Sequence, residues 1–347
     1  MFRKNEQGQA IVILAIGMVV LLIFAALAID AGNAYTAKRE AQNAADAVAL
    51  AGTRQLAIEC NKYLDTDPNT NPVASNITGK AAELATANDI DVAANPLELW
   101  YLDSEGTRLA KIGSGAVPCG CGPGAARGVE GIVSNPTQSF LAGIMGQDVL
   151  GAKASAKARY AQVGRVSGGL YPLTRIPPTG GFVLGEEVII RDAPSGEESM
   201  PGNFGWLTWA GSPDANQLEF SMTPPGDSET YINPHNPNDH SLDPGDWVEG
   251  ATGNMAALKK NLDQYWVNTG RIIVFPLFDA FEGVGSNGNY RVVGYGALEI
   301  TGYNFGGSNK DDIGIHAVLT PAIVNGDWAT SVTCENETGV YSIKLTP

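Results

Sequence analysis

The sequence predicts an α+β protein in which a long N-terminal transmembrane helix continues into a mixed α+β unit and a β-rich domain follows. Three observations carry this. Ala10 to Ile29 is a run of 20 residues without a charge or a proline. Small or apolar residues then recur at Ala34, Ala37, Ala41, Ala44, Val48 and Ala51, spaced by three and four as on one helix face. Glycine and proline number 42 and 20 of 347 residues, the composition of a loop-rich, β-rich body.

The apolar run is the first element. At 1.5 Å per residue it covers about 30 Å, the thickness of a bilayer core. Arg3 and Lys4 precede it and Asp30 follows it. The positive-inside rule therefore makes residues 1–9 a short cytoplasmic leader, residues 10–29 the span, and everything after Asp30 extracytoplasmic. A cleaved secretory signal, cut at Ala26-Leu27-Ala28, is the competing reading. The run is longer than the usual apolar region of about 7–15 residues. The helical pattern also does not stop at the cut, because Ala31 to Leu56 contains no proline and only Gly32 and Gly52 as glycines. One continuous helix is expected, and its outer half carries an alanine-rich stripe suited to close packing.

The remaining elements of the first unit, residues 30–166, follow in order. The proline- and asparagine-rich stretch after Leu64 reads as a loop. Thr78 is placed as the cap of a short helix through Asn88. Leu97–Leu102 and Arg108–Ile112 flank Asp-Ser-Glu-Gly and read as a β-hairpin. Val129–Val133 reads as a strand and Thr137–Met145 as a short helix. Ala152 to Tyr160 alternates alanine with Lys153, Ser155, Lys157 and Arg159, which places alanine on one face of a strand and cations on the other.

Ser167-Gly168-Gly169 reads as a linker, and residues 167–347 as an acidic β-rich domain. Its strands are expected at Phe182–Arg191, Phe204–Ala210, Arg271–Phe278 and Tyr290–Tyr303. One helix, Met255–Trp266, is capped by Asn254 and presents Leu258, Leu262 and Tyr265 on one face. The charge is uneven: residues 1–167 hold 14 Lys and Arg against 15 Asp and Glu, and residues 168–347 hold 8 against 22. With a net charge of −15, nucleic acid is not an expected partner.

All four cysteines, Cys60, Cys119, Cys121 and Cys334, lie beyond the apolar run. An even number outside the cytoplasm favours disulfides. Cys-x-Cys is a poor zinc signature. Cys119 and Cys121 are too close to pair comfortably, which leaves two connectivities, each joining them to Cys60 and Cys334. The stretch from Asn233 to Asp246 is rich in oxygen ligands and holds His235 and His240, but it lacks the spacing of an EF-hand loop and reads as Asx-turn structure. The metal-protease, serine-hydrolase and phosphate-loop signatures are missing from the sequence. No catalytic residue, metal or cofactor is expected, and the chain does not read as an enzyme.

The ordered string Gly8–Gly52 resembles the N-terminal motif of the TadE/TadG-like Flp pilus-assembly proteins. The resemblance lies in an apolar helix closed by Ala28-Ile29-Asp30, then Gly32, Tyr35, Lys38-Arg39, the run Gln42 to Ala47, and Ala49 to Gly52. It implies a pilin-like α+β unit on a bitopic envelope protein. It also implies partners among other Tad/Flp assembly proteins or pilins, contact with membrane lipid, and homo-oligomers through the N-terminal helix. In prepilins of this type a peptidase cuts after a glycine, with Glu five residues beyond. Gly8 stands at that place, making it the candidate leader-cleavage site, but Ile13 occupies the position of the Glu. An uncleaved, membrane-retained anchor is the expectation. The resemblance implies a structural role in Tad/Flp pilus assembly or surface adhesion. The rival is a surface glycan-binding protein or hydrolase with its site in residues 168–347. The six tryptophans would suit sugar stacking, although Trp206, Trp209 and Trp266 sit in core-like patterns.

Overall fold

The structure, a computed structural model, describes residues 6–62, 71–120, 122–139, 149–177, 183–190, 205–209, 215–251, 258–283, 288–306, 313–330 and 337–347. Helix α1 runs unbroken from Glu6 to Lys62, 57 residues, or about 85 Å at the α-helical rise. No proline interrupts it, and alanine and leucine dominate it, so propensity and length agree. Its two halves differ in what covers them. Ile11 to Ile29 is exposed at nearly every position, whereas Ala37, Ala41, Ala44, Ala45, Val48, Ala49, Leu56, Ala57 and Cys60 are buried. The alanine stripe is thus the packing face, as its spacing predicts.

Helix α2 (Ala74–Ala87) lies against α1 and buries Ile77, Ala81 and Ala85. It starts four residues ahead of Thr78, the expected cap. Thr78 is inside the helix and donates its hydroxyl to the Ser75 carbonyl at 3.2 Å. Burial of Ile77, one turn ahead of Ala81, overrides the polar start signal.

Strands β1 (Glu98–Leu102) and β2 (Arg108–Lys111) form the expected hairpin. The strand β3 (Gly128–Ser134) pairs antiparallel with β1. Thr137–Gln138 (β4) and Val149–Leu150 (β5) pair with each other, so the helix expected from Thr137 does not begin there. The rest of that segment, 140–148, lies outside the described residues. Strand β6 (Lys153–Val166) pairs with β3 and has the expected alternation: Ala154, Ala158 and Tyr160 are buried, Lys153 and Ser155 exposed.

Helix and sheet meet closely because both surfaces are small. A Cβ on Gly131 would stand 2.5 Å from Val48 Cγ1, and one on Gly52 3.0 Å from Val129 Cγ1. Thr53 sits between the strands: its hydroxyl donates to the Ala158 carbonyl and accepts from the Val129 N–H, both at 3.0 Å. Ala44 is fully buried in the same core as Leu99, Val129, Val133 and Ala154. Ala44→Leu should therefore overpack the core and destabilise the full chain in detergent by about 1–3 kcal/mol. Asn43→Leu, at an exposed neighbour, should stay within about 0.5 kcal/mol. Thermal unfolding of both variants checks this, and equal tolerance would mean that α1 does not pack through this face.

The second sheet contains β7 (Glu187–Ile190), β8 (Leu207–Thr208), β9 (Trp247–Gly250), β10 (Ile272–Glu282), β11 (Asn289–Asn304) and β12 (Gly314–Leu319). Its order is β7-β12-β11-β9-β8, with β10 also on β11. Strands β7 and β8 fall within expected segments and β10 and β11 overrun theirs, whereas β9 and β12 lie outside every expected strand. Ala215–Ser221 forms the short helix α3. The expected helix near 255–266 is present from Leu258, begins as Lys259–Asn261 (α4), widens into a π turn at Leu262–Trp266 and ends in a 3-10 turn at Val267–Thr269. Its expected cap Asn254 lies outside the described residues. Leu258, Leu262 and Trp266 are buried, and Trp266 Nε1 donates to the Met222 carbonyl at 3.2 Å.

The last strands of the chain return to the first sheet. Strands β13 (Ala322–Ile323), β14 (Gly326–Trp328) and β15 (Val340–Thr346) all join the first sheet, whose order is β13-β15-β6-β3-β1-β2 with β14 also on β6. Strand β15 lies on the far edge of β6, from Tyr341 opposite Gln162 to Thr346 opposite Lys157. The reason is the long β6, whose second edge would otherwise leave its N–H and C=O groups without strand partners. The end of β6 also enters the second core: Val163, Val166 and Leu170 pack with Trp209, Tyr231, Phe278, Tyr290 and Tyr295. Arg165 forms a bidentate pair with Asp243 beside it.

Candidate functional site

The feature with the clearest chemistry is the anchor half of α1 and the collar of polar contacts where it leaves its apolar run. Among the described residues, α1 is the one helix long and apolar enough to cross a membrane. Its side chains from Ile11 to Ile29 point outward with nothing packed on them over most of this length. Such a surface is unstable in water and is matched by hydrocarbon. Gly8 lies in the first turn of the same helix, with no break in the helix there.

Asp30 ends the run. It is only 5% exposed, and Ser139 Oγ, just after β4, donates to its Oδ2 at 2.9 Å. Further along, Lys38 Nζ donates to the Lys153 carbonyl, and Asn135 Nδ2 to Glu40 Oε2 at 3.0 Å. Tyr35, between these contacts, is 72% exposed.

At the other end of α1, Cys60 is bonded to Cys119, with Cα atoms 5.1 Å apart. This ties the helix end to the segment after β2. Cys121 and Cys334 lie outside the described residues. Nearby, Arg127 donates to Glu337 Oε1 at 2.5 Å, with both side chains nearly buried, and its guanidinium lies over the Tyr160 ring. Burial pushes the Tyr160 hydroxyl up to about 12 and Tyr341 well above its ordinary value. Both are therefore neutral partners in this cluster.

The oxygen-rich stretch from Asn233 to Asp246 consumes its own ligands. Asn233 Nδ2 donates to Asp239 Oδ2 at 3.3 Å and Asp246 Oδ1 at 3.2 Å, Asp239 accepts from Ser241, and Asp246 accepts from the Asp243 N–H at 2.7 Å. Those backbone and side-chain bonds from Ser241 hold the Asp239 carboxyl below its usual range, while burial raises Asp246. Among the described residues, no group of three or more His, Cys, Asp and Glu is arranged to hold a metal ion. His235 stacks on Trp247 and meets Glu282 at 2.5 Å on the surface. Trp206, Trp209 and Trp266 are core residues, as their pattern predicts.

In the sequence Asp30 reads only as the end of the span, and the helix expected from Thr137 hides the contact with Ser139. Strands of two residues each carry too little periodicity to signal this contact in the sequence.

Residues 8–55 match the family model described as Flp pilus-assembly TadE/G-like. The matched stretch is nearly coextensive with α1, so it covers the anchor, its exit and the alanine face that receives the sheet. No curated protein and no solved structure matches the chain. The family match supports a role related to pilus assembly, and the long apolar helix is suited to a single-pass membrane anchor.

Proposed function

We propose that this chain is a membrane-anchored, pilin-like structural protein of the cell envelope that acts in Tad/Flp pilus assembly or surface adhesion, without enzymatic activity. The observation that carries the reading is the single uninterrupted α1, bare and apolar over one half and packed on a β-sheet over the other, in the stretch that matches the family model. A rigid helix shared between lipid and sheet couples the body mechanically to the membrane. Residues 1–9 remain in the cytoplasm, held there by Arg3 and Lys4. The body lies outside, and its acidic part from residue 167 faces away from anionic lipid. Other Tad/Flp assembly proteins or pilins, membrane lipid and further copies meeting along α1 are its partners. Uncleaved at Gly8, the chain stays in the membrane.

Protease added to wall-permeabilised cells with intact membranes is expected to cut the chain after residue 60. Cross-linking in the same cells should capture Tad/Flp components. Protection until the membrane is opened would contradict the topology. Accessible protein with no such cross-link would contradict the assembly role.

A further inference from the structure

We propose that the outer face of the first sheet binds a linear acidic polysaccharide along a cationic strip that crosses five strands. The inference goes beyond the structural role above and rests on it only for the height of the strip over the membrane.

The strand registers build the strip. Lys111, Trp100, Glu130, Lys157 and Thr346 lie opposite one another across β2, β1, β3, β6 and β15. Arg108, Leu102, Gly128, Arg159 and Lys344 form the next row. Opposite residues share a face of the sheet. Leu99, Val129 and Ala154 fill the core under α1, so by the period of two these rows lie on the other face. The two rows hold five cations and one acid, in a chain whose net charge is −15. The acid, Glu130, has a side chain 4% exposed and pairs with the overlying Arg108 at 2.5 Å. Lys157 and Arg159 donate to the Gly106 and Ser104 carbonyls, neutral acceptors that leave the positive charge in place. Lys111 is exposed. Of the flanking acids, Asp327 meets Lys344 at 2.6 Å, Asp103 accepts from the Glu105 and Thr107 amides, and Glu105 is exposed on the turn.

Height and width decide the occupant. Thr53 donates to the carbonyl of Ala158, which separates the two rows along β6. It follows Ile29 by 24 residues, or about 36 Å along the helix. Charge on lipid headgroups is screened within about 10 Å, so the strip stands clear of them. Five strands and two rows make a strip of about 19 by 7 Å, or about 130 Å². A stable protein partner needs about 800 Å² on each side, whereas a single extended polymer needs only a track. The track also carries indoles. Trp100 is half-buried with the Arg108 guanidinium 5.2 Å from its ring, and Trp328 is half-buried with Arg159 and Lys344 at 5.1 and 5.9 Å. A uronate presents an apolar C–H face and a carboxylate side by side, which matches a cation set beside an indole.

The test measures binding of a fluorescently labelled alginate oligosaccharide to the full chain in nonionic detergent, by anisotropy. The strip variant is Lys111→Gln with Lys157→Gln. The control, Lys259→Gln with Lys260→Gln, removes the same charge from exposed positions on α4. Melting curves establish that both are folded. Wild type and control are expected to bind at low salt and to release the sugar near 1 M salt, where screening acts within about 3 Å. The strip variant should bind about tenfold more weakly. Equal weakening in both variants overturns the strip, because net charge alone would then attract the sugar. Equal affinity of the wild type for poly-glutamate overturns the assignment to a glycan. Low-salt self-association that the strip variant loses, without alginate binding, gives the face to a second copy and overturns it as well. All three results leave the anchored structural role standing, and the protease experiment above tests that role separately.

Discussion

Arg127→Met is expected to destabilise the chain by about 3–5 kcal/mol. Arg127 is held by its own N–H, which donates to the Leu102 carbonyl at 2.7 Å, and by the Glu337 carboxylate. The two side chains are 8% and 11% exposed. Tyr160 lies under the guanidinium and meets Tyr341 edge-on at 5.3 Å, and Tyr341 donates to the second oxygen of Glu337 at 3.4 Å. The cluster thus joins the residue just before β3, the middle of β6 and the start of β15. Removing the cation leaves a buried carboxylate with one weak donor. A double variant, Arg127→Met with Glu337→Leu, removes both charges and should recover most of the loss, because an apolar pair of similar volume is often as stable as a buried ion pair. Urea denaturation of the wild type, both single variants and the double variant forms the cycle. Additive losses would show that the two residues contribute independently, and the cluster would then not be a unit.

The pair shows where sequence reasoning stops. Arg127 and Glu337 are separated by 210 residues, and neither sits in a periodic or capped segment. Local rules see periods of two and of three to four, and those were sufficient for α1, for the β1–β2 hairpin and for the alanine-faced β6. They also located the buried tryptophans. Sheet membership is different. Strand β15 reads equally well as an edge of either sheet, and only the open side of β6 selects its place. The early start of α2 has the same origin: Ile77 is drawn in by the α1 surface, which no cap signal reports.

The membrane exit was legible in half. Asp30 is visible as the first charge after the run, and the resemblance in Gly8–Gly52 covers it. Its partner Ser139 is 109 residues away, on a hairpin whose strands are two residues each. Strands that short carry almost no periodicity, so their pairing is fixed by the neighbours β3 and β6 rather than by their own composition.

Removal of the Cys60–Cys119 bond is expected to have the second large effect. The bond closes a separation of 59 residues that contains α2, β1 and β2. In the chain-entropy account a crosslink over such a loop stabilises by about 4 kcal/mol, and measured losses fall at about 2–5 kcal/mol. Both cysteines are buried, so Cys60→Ala with Cys119→Ala also leaves small cavities, and the variant alone would overstate the crosslink. Gentle reduction of the native chain separates the two contributions, because it keeps the sulfur atoms in place. The double variant and the reduced protein should both melt earlier, the variant somewhat more. Of the two connectivities open in the sequence, the observed bond leaves Cys121 with Cys334. The sequence expectation of two bonds then makes Cys121–Cys334 the second, and both residues lie outside the described ones. Non-reducing peptide mapping of envelope-derived protein should then find one peptide pair for each bond, and in the double variant the Cys121–Cys334 pair alone. Free thiols at 121 and 334 would remove that second bond. An unchanged melting temperature after reduction would mean that the packing of α1 on α2 and the sheet already holds the loop closed. Disulfides persist outside the reducing cytoplasm, so a fully reduced pool in cells would also count against the extracytoplasmic body.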